Sequence, residues 1–195
     1  MKRLVLAAAL SLAAASALAA PSTYVIDATH TDVVASWNHL GFSNPVAHFG
    51  QVDGTIVYDP DDVAASSVEV TIPLAGLDSH VPKLDEHMRA ADFFDAATYP
   101  QITFRSTRVE AAGEGKLRVT GDLTVRDTTR PAVLDVTVNK VGEHPMAKRP
   151  AAGFDATTTL KRSEFGVGKL VPAVSDDITI RITTEAVAPA AASAG

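Results

Sequence analysis

The residues from 178 to 183 read Ile-Thr-Ile-Arg-Ile-Thr, and this strict alternation of apolar and polar side chains decides the fold class. Successive side chains of a β-strand point to opposite faces, so the segment is a strand with one dry face and one wet face. Residues 68–72 and 116–123 show the same period. Its recurrence predicts a chain that folds mainly as β-sheet.

Six further segments are predicted as strands, because turn-forming residues such as Asp59-Pro60-Asp61 separate them. They are residues 23–27, 33–39, 49–58, 102–110, 132–141 and 153–160. One short helix interrupts them near 82–90, where Pro82 suits a first helical position and Leu84 and Met88 share a face. These two side chains are expected to cap an apolar interior.

About eight strands in one antiparallel sheet leave exposed edges unless the sheet closes on itself. We therefore predict an all-β fold, a single extended antiparallel β-barrel of about eight strands with one helical excursion. Such a barrel either fills with side chains or holds one small ligand, and the pattern leaves both open. The candidate ligand-binding residues are Val33, Ala35, Trp37, His39, Phe49, Ile56, Leu84, Met88, Phe94, Ile102, Phe104, Leu117, Val119 and Phe154.

Composition excludes several classes of protein. The chain has no cysteine, which removes disulfides and thiolate metal sites. Its formal net charge is −6, and the 17 lysines and arginines are scattered, so we expect no nucleic-acid partner. Without a long basic amphipathic helix, stable insertion into a membrane is not expected either.

The amino terminus has the pattern of a secretory signal peptide. Met1-Lys2-Arg3 is followed by an apolar run over 4–12 and by the small-residue site Ala17-Leu18-Ala19. We predict cleavage after about Ala19 and export to the periplasm. The predicted domain then covers residues 20–187, and residues 188–195, rich in alanine, form a predicted disordered tail.

Several motifs, in order along the chain, resemble those of the YceI-like family of bacterial, mostly periplasmic, lipid- or polyisoprenoid-binding proteins. They are DATHT (27–31), WNHLGFS (37–43), DEHM (85–88), DFFD (92–95), YPQITFRS (99–106), GDLTVR (121–126) and RSEFG (162–166). The sequence departs from the family at Ala47 or His48, where glycine is usual, and at Val52, where phenylalanine is usual.

The resemblance implies a lipocalin-like barrel whose elongated pocket takes a polyisoprenoid, an isoprenoid quinone or a fatty-acyl chain. The expected function is non-catalytic binding, for transport, storage or sequestration, without a cofactor, and a homodimer is plausible. His30, Arg126 and Arg130 are candidates to meet the head group, the arginines from a predicted hairpin turn beside the mouth. A solvated turn with two exposed arginines is the simpler interpretation of that pair.

Two alternative functions remain open, a periplasmic hydrolase or metal-binding protein that uses pocket histidines, and a ligand-free structural dimer. The sequence has neither a Gly-x-Ser-x-Gly motif nor a phosphate-binding glycine loop, so we predict that it is not an enzyme. No histidine spacing forms a closed ligand set, so no metal is expected. Only a hairpin between His39 and His48 would bring a histidine pair together.

Overall fold

The computed structural model describes residues 21–190, and the predicted signal peptide and residues 191–195 lie outside that range. Antiparallel strands dominate it, together with one α-helix, α1 (Pro82–Arg89), and three short 3-10 turns. The strands are β1 (Ser22–Ile26), β2 (Asp32–His39), β3 (Val46–Phe49), β4 (Asp53–Tyr58), β5 (Ser67–Pro73), β6 (Leu77–Asp78), β7 (Gln101–Gly113), β8 (Lys116–Val125), β9 (Thr128–Glu143), β10 (Pro150–Lys161) and β11 (Val174–Val187).

Eight of these strands form a closed ring in the order β1-β4-β5-β7-β8-β9-β10-β11. The ring closes where β11 returns to β1, with Val25 opposite Val187 and Ile26 opposite Ala186. The remaining strands, β2, β3 and β6, continue β1, β4 and β5 after a short break in each. The predicted antiparallel barrel of about eight strands is therefore confirmed.

The break between β3 and β4 corrects one predicted strand, the continuous segment 49–58. Phe49 and Val52 are both buried, a spacing of three that no regular strand allows, and Gln51 between them has a positive φ of 59°. The amide of Gly50 donates to the carbonyl oxygen of Gly76 at 2.9 Å. Because a Cβ on Gly76 would collide with the Gly50 backbone, this close approach requires glycine.

The barrel has two different ends. At one, which we call the hairpin end, a tight turn joins β7 to β8 and the loop 144–149 joins β9 to β10. At the other, the helical end, α1 and the segment after it cover the opening between β6 and β7. Met88 is buried there and Leu84 packs against the core, which confirms the helix predicted near 82–90.

The wall is close-packed at Gly121 of β8. A Cβ there would press on the Phe104 ring and lie 2.5 Å from the carbonyl oxygen of Arg105. We expect Gly121→Ala to lower the free energy of unfolding by about 1–3 kcal/mol, because neither neighbour can move freely. Urea unfolding measures this change.

Gly142→Ala is the matched control, since a Cβ at Gly142 meets nothing within 4 Å and its φ is not positive. We expect it to be neutral or to stabilise by up to about 1 kcal/mol. Equal destabilisation by both substitutions would contradict the predicted close packing at Gly121.

Candidate functional site

A cavity of about 370 Å³ occupies the interior of the barrel. Its volume falls within the range usual for small-molecule sites, and apolar side chains make up nearly all of its wall. The three isoleucines of β11, Ile178, Ile180 and Ile182, face this space and remain half-buried. Side chains that point into a filled core would be fully buried, so the interior is hollow.

The structure places all fourteen candidate ligand-binding residues on the cavity wall. Val33, Ala35, Trp37 and His39 project from β2, where alternate residues face the same side. Leu84, Met88 and Phe94 come from the helical end. The others are Phe49, Ile56, Ile102, Phe104, Leu117, Val119 and Phe154, and all but Phe49 and Ile56 lie on β7, β8 or β10.

Other parts of the wall were missing from the sequence-based set. β11 contributes its three isoleucines, and β9 and β10 contribute Leu134, Val136, Ala156 and Leu160. The signal was present for β11, because its alternating isoleucines are as regular as any wall segment in the chain. Assigning inward faces strand by strand would have found them.

Aromatic rings line the cavity at the helical end. Phe94 packs edge-on against Phe49, with 6.0 Å between ring centroids, and against Phe93, with 5.0 Å. The His87 ring lies 6.0 Å from Phe93 and also lines the cavity. The two phenylalanine pairs are edge-to-face, which is a favourable arrangement of aromatic rings.

The hydroxyl groups on the wall have partners or stay neutral. Thr31 and Thr184 share a hydrogen bond of 2.8 Å between their Oγ1 atoms. Burial raises the pKa of Tyr58, whose ring stacks edge-on with Phe154, so the phenol remains protonated at neutral pH. These groups therefore add polarity to the wall without adding charge.

Arg162 is a buried cation on the cavity wall that sequence reasoning missed. Its guanidinium donates to the carbonyl oxygens of Val167, Lys169, Val174 and Ser175, at 2.7 to 2.9 Å. Burial lowers its pKa, although the group is basic enough to stay charged. Arg162 therefore ties the segment from 167 to 175 to the end of β10.

The head-group candidates occupy three different positions, and none is among the described cavity-lining residues. Arg126, at the β8–β9 turn, donates through one nitrogen to the carbonyl oxygens of Phe93 (3.1 Å) and Gly166 (3.2 Å). Arg130 is exposed and reaches only the carbonyl of its neighbour Thr129. His30 lies outside the barrel.

His30 belongs to a polar cluster in the break between β1 and β2. Asp27 accepts hydrogen bonds from Thr29, and its second oxygen lies 2.9 Å from Nδ1 of His30. These contacts, the Thr29 hydroxyl foremost, lower the pKa of Asp27 to about 2, and Asp27 raises that of His30. Glu185 lies close by. The side-chain atoms of Asp27, His30 and Glu185 that could coordinate a metal ion all lie within 4.8 Å of one another.

The β2–β3 hairpin does not bring His39 and His48 together. His48 lies opposite Val34, and its Nδ1 atom is 2.7 Å from the carboxylate of Asp32. Its ring instead packs against His80, 5.3 Å away between centroids. His39 and His87 are the histidines on the described part of the cavity wall.

The sequence model of the family described as the YceI-like domain matches residues 24–186, which is most of the chain. The chain belongs to the YceI-like family. A UPF0312 protein of Vibrio cholerae is 41% identical to this chain over 146 residues. The match covers 74% of this chain and 77% of the Vibrio protein.

Solved structures share the fold of this YceI-like chain. The crystal structure of Burkholderia cenocepacia BcnA superposes with a TM-score of 0.75 at 29% identity, covering 82% of this chain and 98% of BcnA. A polyisoprenoid binding domain from Saccharophagus degradans superposes with a TM-score of 0.61, covering 85% of this chain and 98% of that domain. At 16% identity, this likeness concerns the fold.

Between residues 21 and 190, no helix has the length and apolar character needed to cross a membrane.

The contacts of Arg126 fasten the segment after α1 to the Gly166 loop, and its guanidinium also lies 5.7 Å from the Tyr99 ring. We expect Arg126→Met to lower the free energy of unfolding by about 2 kcal/mol, because hydrogen bonds from a charged group are lost. Amide hydrogen exchange over residues 90–96 should become faster.

Arg130→Met on the same hairpin is the control, and we expect a change within about 0.5 kcal/mol for this exposed side chain. Ligand binding measured on both variants also tests the head-group prediction. A loss of affinity for anionic ligands, with unchanged stability and exchange, would instead assign Arg126 to the head group.

Proposed function

We propose that this protein is a non-catalytic periplasmic carrier that holds a long apolar chain, a polyisoprenoid, isoprenoid quinone or fatty-acyl compound, in the barrel. The observation that carries the proposal is the empty interior volume enclosed by an almost wholly apolar wall. Moving apolar surface from water into such a site contributes about 25 cal/mol per Å². A long chain therefore binds well without a charged anchor.

The side chains around the cavity support binding rather than catalysis. The described lining contains histidine, serine, threonine and tyrosine but no aspartate or glutamate. A serine–histidine pair would thus have no carboxylate on the wall to orient the imidazole. The buried guanidinium of Arg162 is already engaged by four backbone carbonyls.

Family membership and the amino-terminal sequence support the ligand class and the location. The structural neighbour from Saccharophagus degradans is described as a polyisoprenoid binding domain. A barrel that shares the fold of that domain and has a hollow apolar interior is suited to the same class of molecule. The signal-peptide pattern over 1–19 supports export to the periplasm, where a carrier would move such chains through water.

Native mass spectrometry of the protein purified from the periplasm tests the proposal, followed by organic extraction of whatever is released. We expect one stoichiometric isoprenoid or acyl compound for each barrel, because the apolar cavity lies inside the barrel. A bare protein mass, together with no uptake of added polyprenol or fatty acid, would contradict the proposal. The same spectra show whether a dimer forms.

Narrowing the cavity should shorten the chain that fits. Ile182 lies between Val33 and Ala156 in the sheet register and faces the empty space. Ile182→Phe extends a ring into that space. If two methylene groups are kept out, at about 0.8 kcal/mol each, affinity for the longest ligands falls by roughly tenfold.

A series of fatty acids of increasing length, measured by calorimetry, checks this expectation. Ile182→Val is the control, because it keeps the shape of the wall and adds a little space. Short acids should bind both variants alike. Undiminished affinity of Ile182→Phe for the longest acids would show that the chain does not run past Ile182.

A further inference from the structure

Bulky apolar side chains stand in solvent at the helical end of the barrel. Phe42 is 91% exposed, Leu170 62% and Leu40 51%, and Val171 beside Leu170 is also exposed. The two loops that carry them are joined by a hydrogen bond of 3.2 Å from the amide of Leu40 to the carbonyl of Ala173. We call these four residues the lip.

Both lip loops hold leucine where turn geometry favours another residue. Leu40 and Gly41 have φ values of 56° and 78°, and the amide of Phe42 donates to the carbonyl of His39 at 3.0 Å. Leu170 has a φ of 67° in the second loop. Such positions favour glycine or asparagine, and leucine there is strained. Both loops therefore combine a strained backbone at leucine with an apolar side chain exposed to water.

The lip is continuous with the cavity. Leu170 belongs both to the lip and to the cavity wall, and its neighbour Lys169 also lines the cavity. His39, the residue before Leu40, lies on the wall as well. A molecule that covers the lip would thus also contact a residue of the cavity wall, Leu170.

The size and charge of the lip favour a lipid surface over a second protein. A standard protein interface uses about 20–30 residues a side, far more than four protruding side chains. The nearby lysines are internally paired, Lys169 with Asp92 and Lys161 with Asp177. The lip therefore offers hydrocarbon to its partner and little free positive charge.

We propose that the lip inserts into the surface of a lipid bilayer, so that an apolar chain passes between the membrane and the cavity without crossing water. The proposal rests on the proposed function, because it concerns loading of the same cavity. Association is driven by apolar burial, so it survives added salt, unlike binding through basic patches.

The test variant is Leu40→Asn, Phe42→Ser and Val171→Thr combined, since asparagine tolerates the positive φ of Leu40 and none of these three residues lines the cavity. The control is Met146→Ser, which removes an 84% exposed apolar side chain at the hairpin end. Flotation with phosphatidylethanolamine–phosphatidylglycerol vesicles measures association. Vesicles carrying a dye-labelled polyprenol measure the rate of transfer to the protein.

We expect the triple variant to lose association and transfer by about tenfold or more, since burying one such side chain is worth that factor. The control should stay within about twofold of the wild type. Binding of cis-parinaric acid added from solution should be unchanged in both variants, because neither variant changes a cavity-lining residue.

Unchanged flotation and transfer by the triple variant would overturn the proposal. So would a dimer of the wild type that the triple substitution dissociates, because a second copy would then cover the lip. If wild type floats with vesicles but takes up neither polyprenol nor cis-parinaric acid, the proposed carrier function fails while lip insertion stands.

Discussion

The pairing of β1 with the last residues of β11 closes the sheet, and the empty interior depends on this closure. An open sheet must cover its apolar face with another layer, which would fill the space beside it. In the closed ring, each strand finds hydrogen-bond partners on both sides. Ala186, at the junction, is wholly buried. The backbone ladder thus maintains the wall, and side chains need not meet across the centre.

Three strands of the ring are interrupted, between β1 and β2, between β3 and β4, and between β5 and β6, and these breaks make the two ends of the barrel unlike each other. Beyond them, β2, β3 and β6 extend the wall on one side only, and α1 covers the gap left opposite. Two arginines secure this end through backbone carbonyls, Arg126 to Phe93 and Gly166, and Arg162 to the segment from 167 to 175. Four carbonyl oxygens accept from the Arg162 guanidinium, so no carboxylate has to be buried beside it.

Much of the wall could be predicted from the sequence, because a sheet with one dry and one wet face alternates with period two. This holds for β2 and β8, whose inward residues were found at the correct positions. It failed at residues 49–58, where the contact of Gly50 with Gly76, distant in sequence, interrupts the strand. Arg162 was missed because a buried arginine held by loop carbonyls leaves no periodic signal.

The sequence could not show whether side chains fill the barrel or leave it hollow, and the reason is a different one. Alternation reports which side of the wall a side chain occupies, and it carries no measure of the distance between opposite walls. In the structure, Ile178, Ile180 and Ile182 face free space rather than the side chains of a facing strand. Atoms that line a void lack contacts on one side and lose that dispersion energy.

A bound chain would restore those contacts, so the ligand and the fold stabilise each other. The barrel is therefore less stable when the cavity is empty than when a chain fills it. The side chains that lack packing contacts in the empty state would make those contacts with the bound chain, and this is the source of the proposed affinity. The residues that make the wall also explain why no charged anchor is needed. If a long apolar chain binds as proposed, its selection depends on the length of the cavity and on its few polar atoms rather than on a single recognition residue.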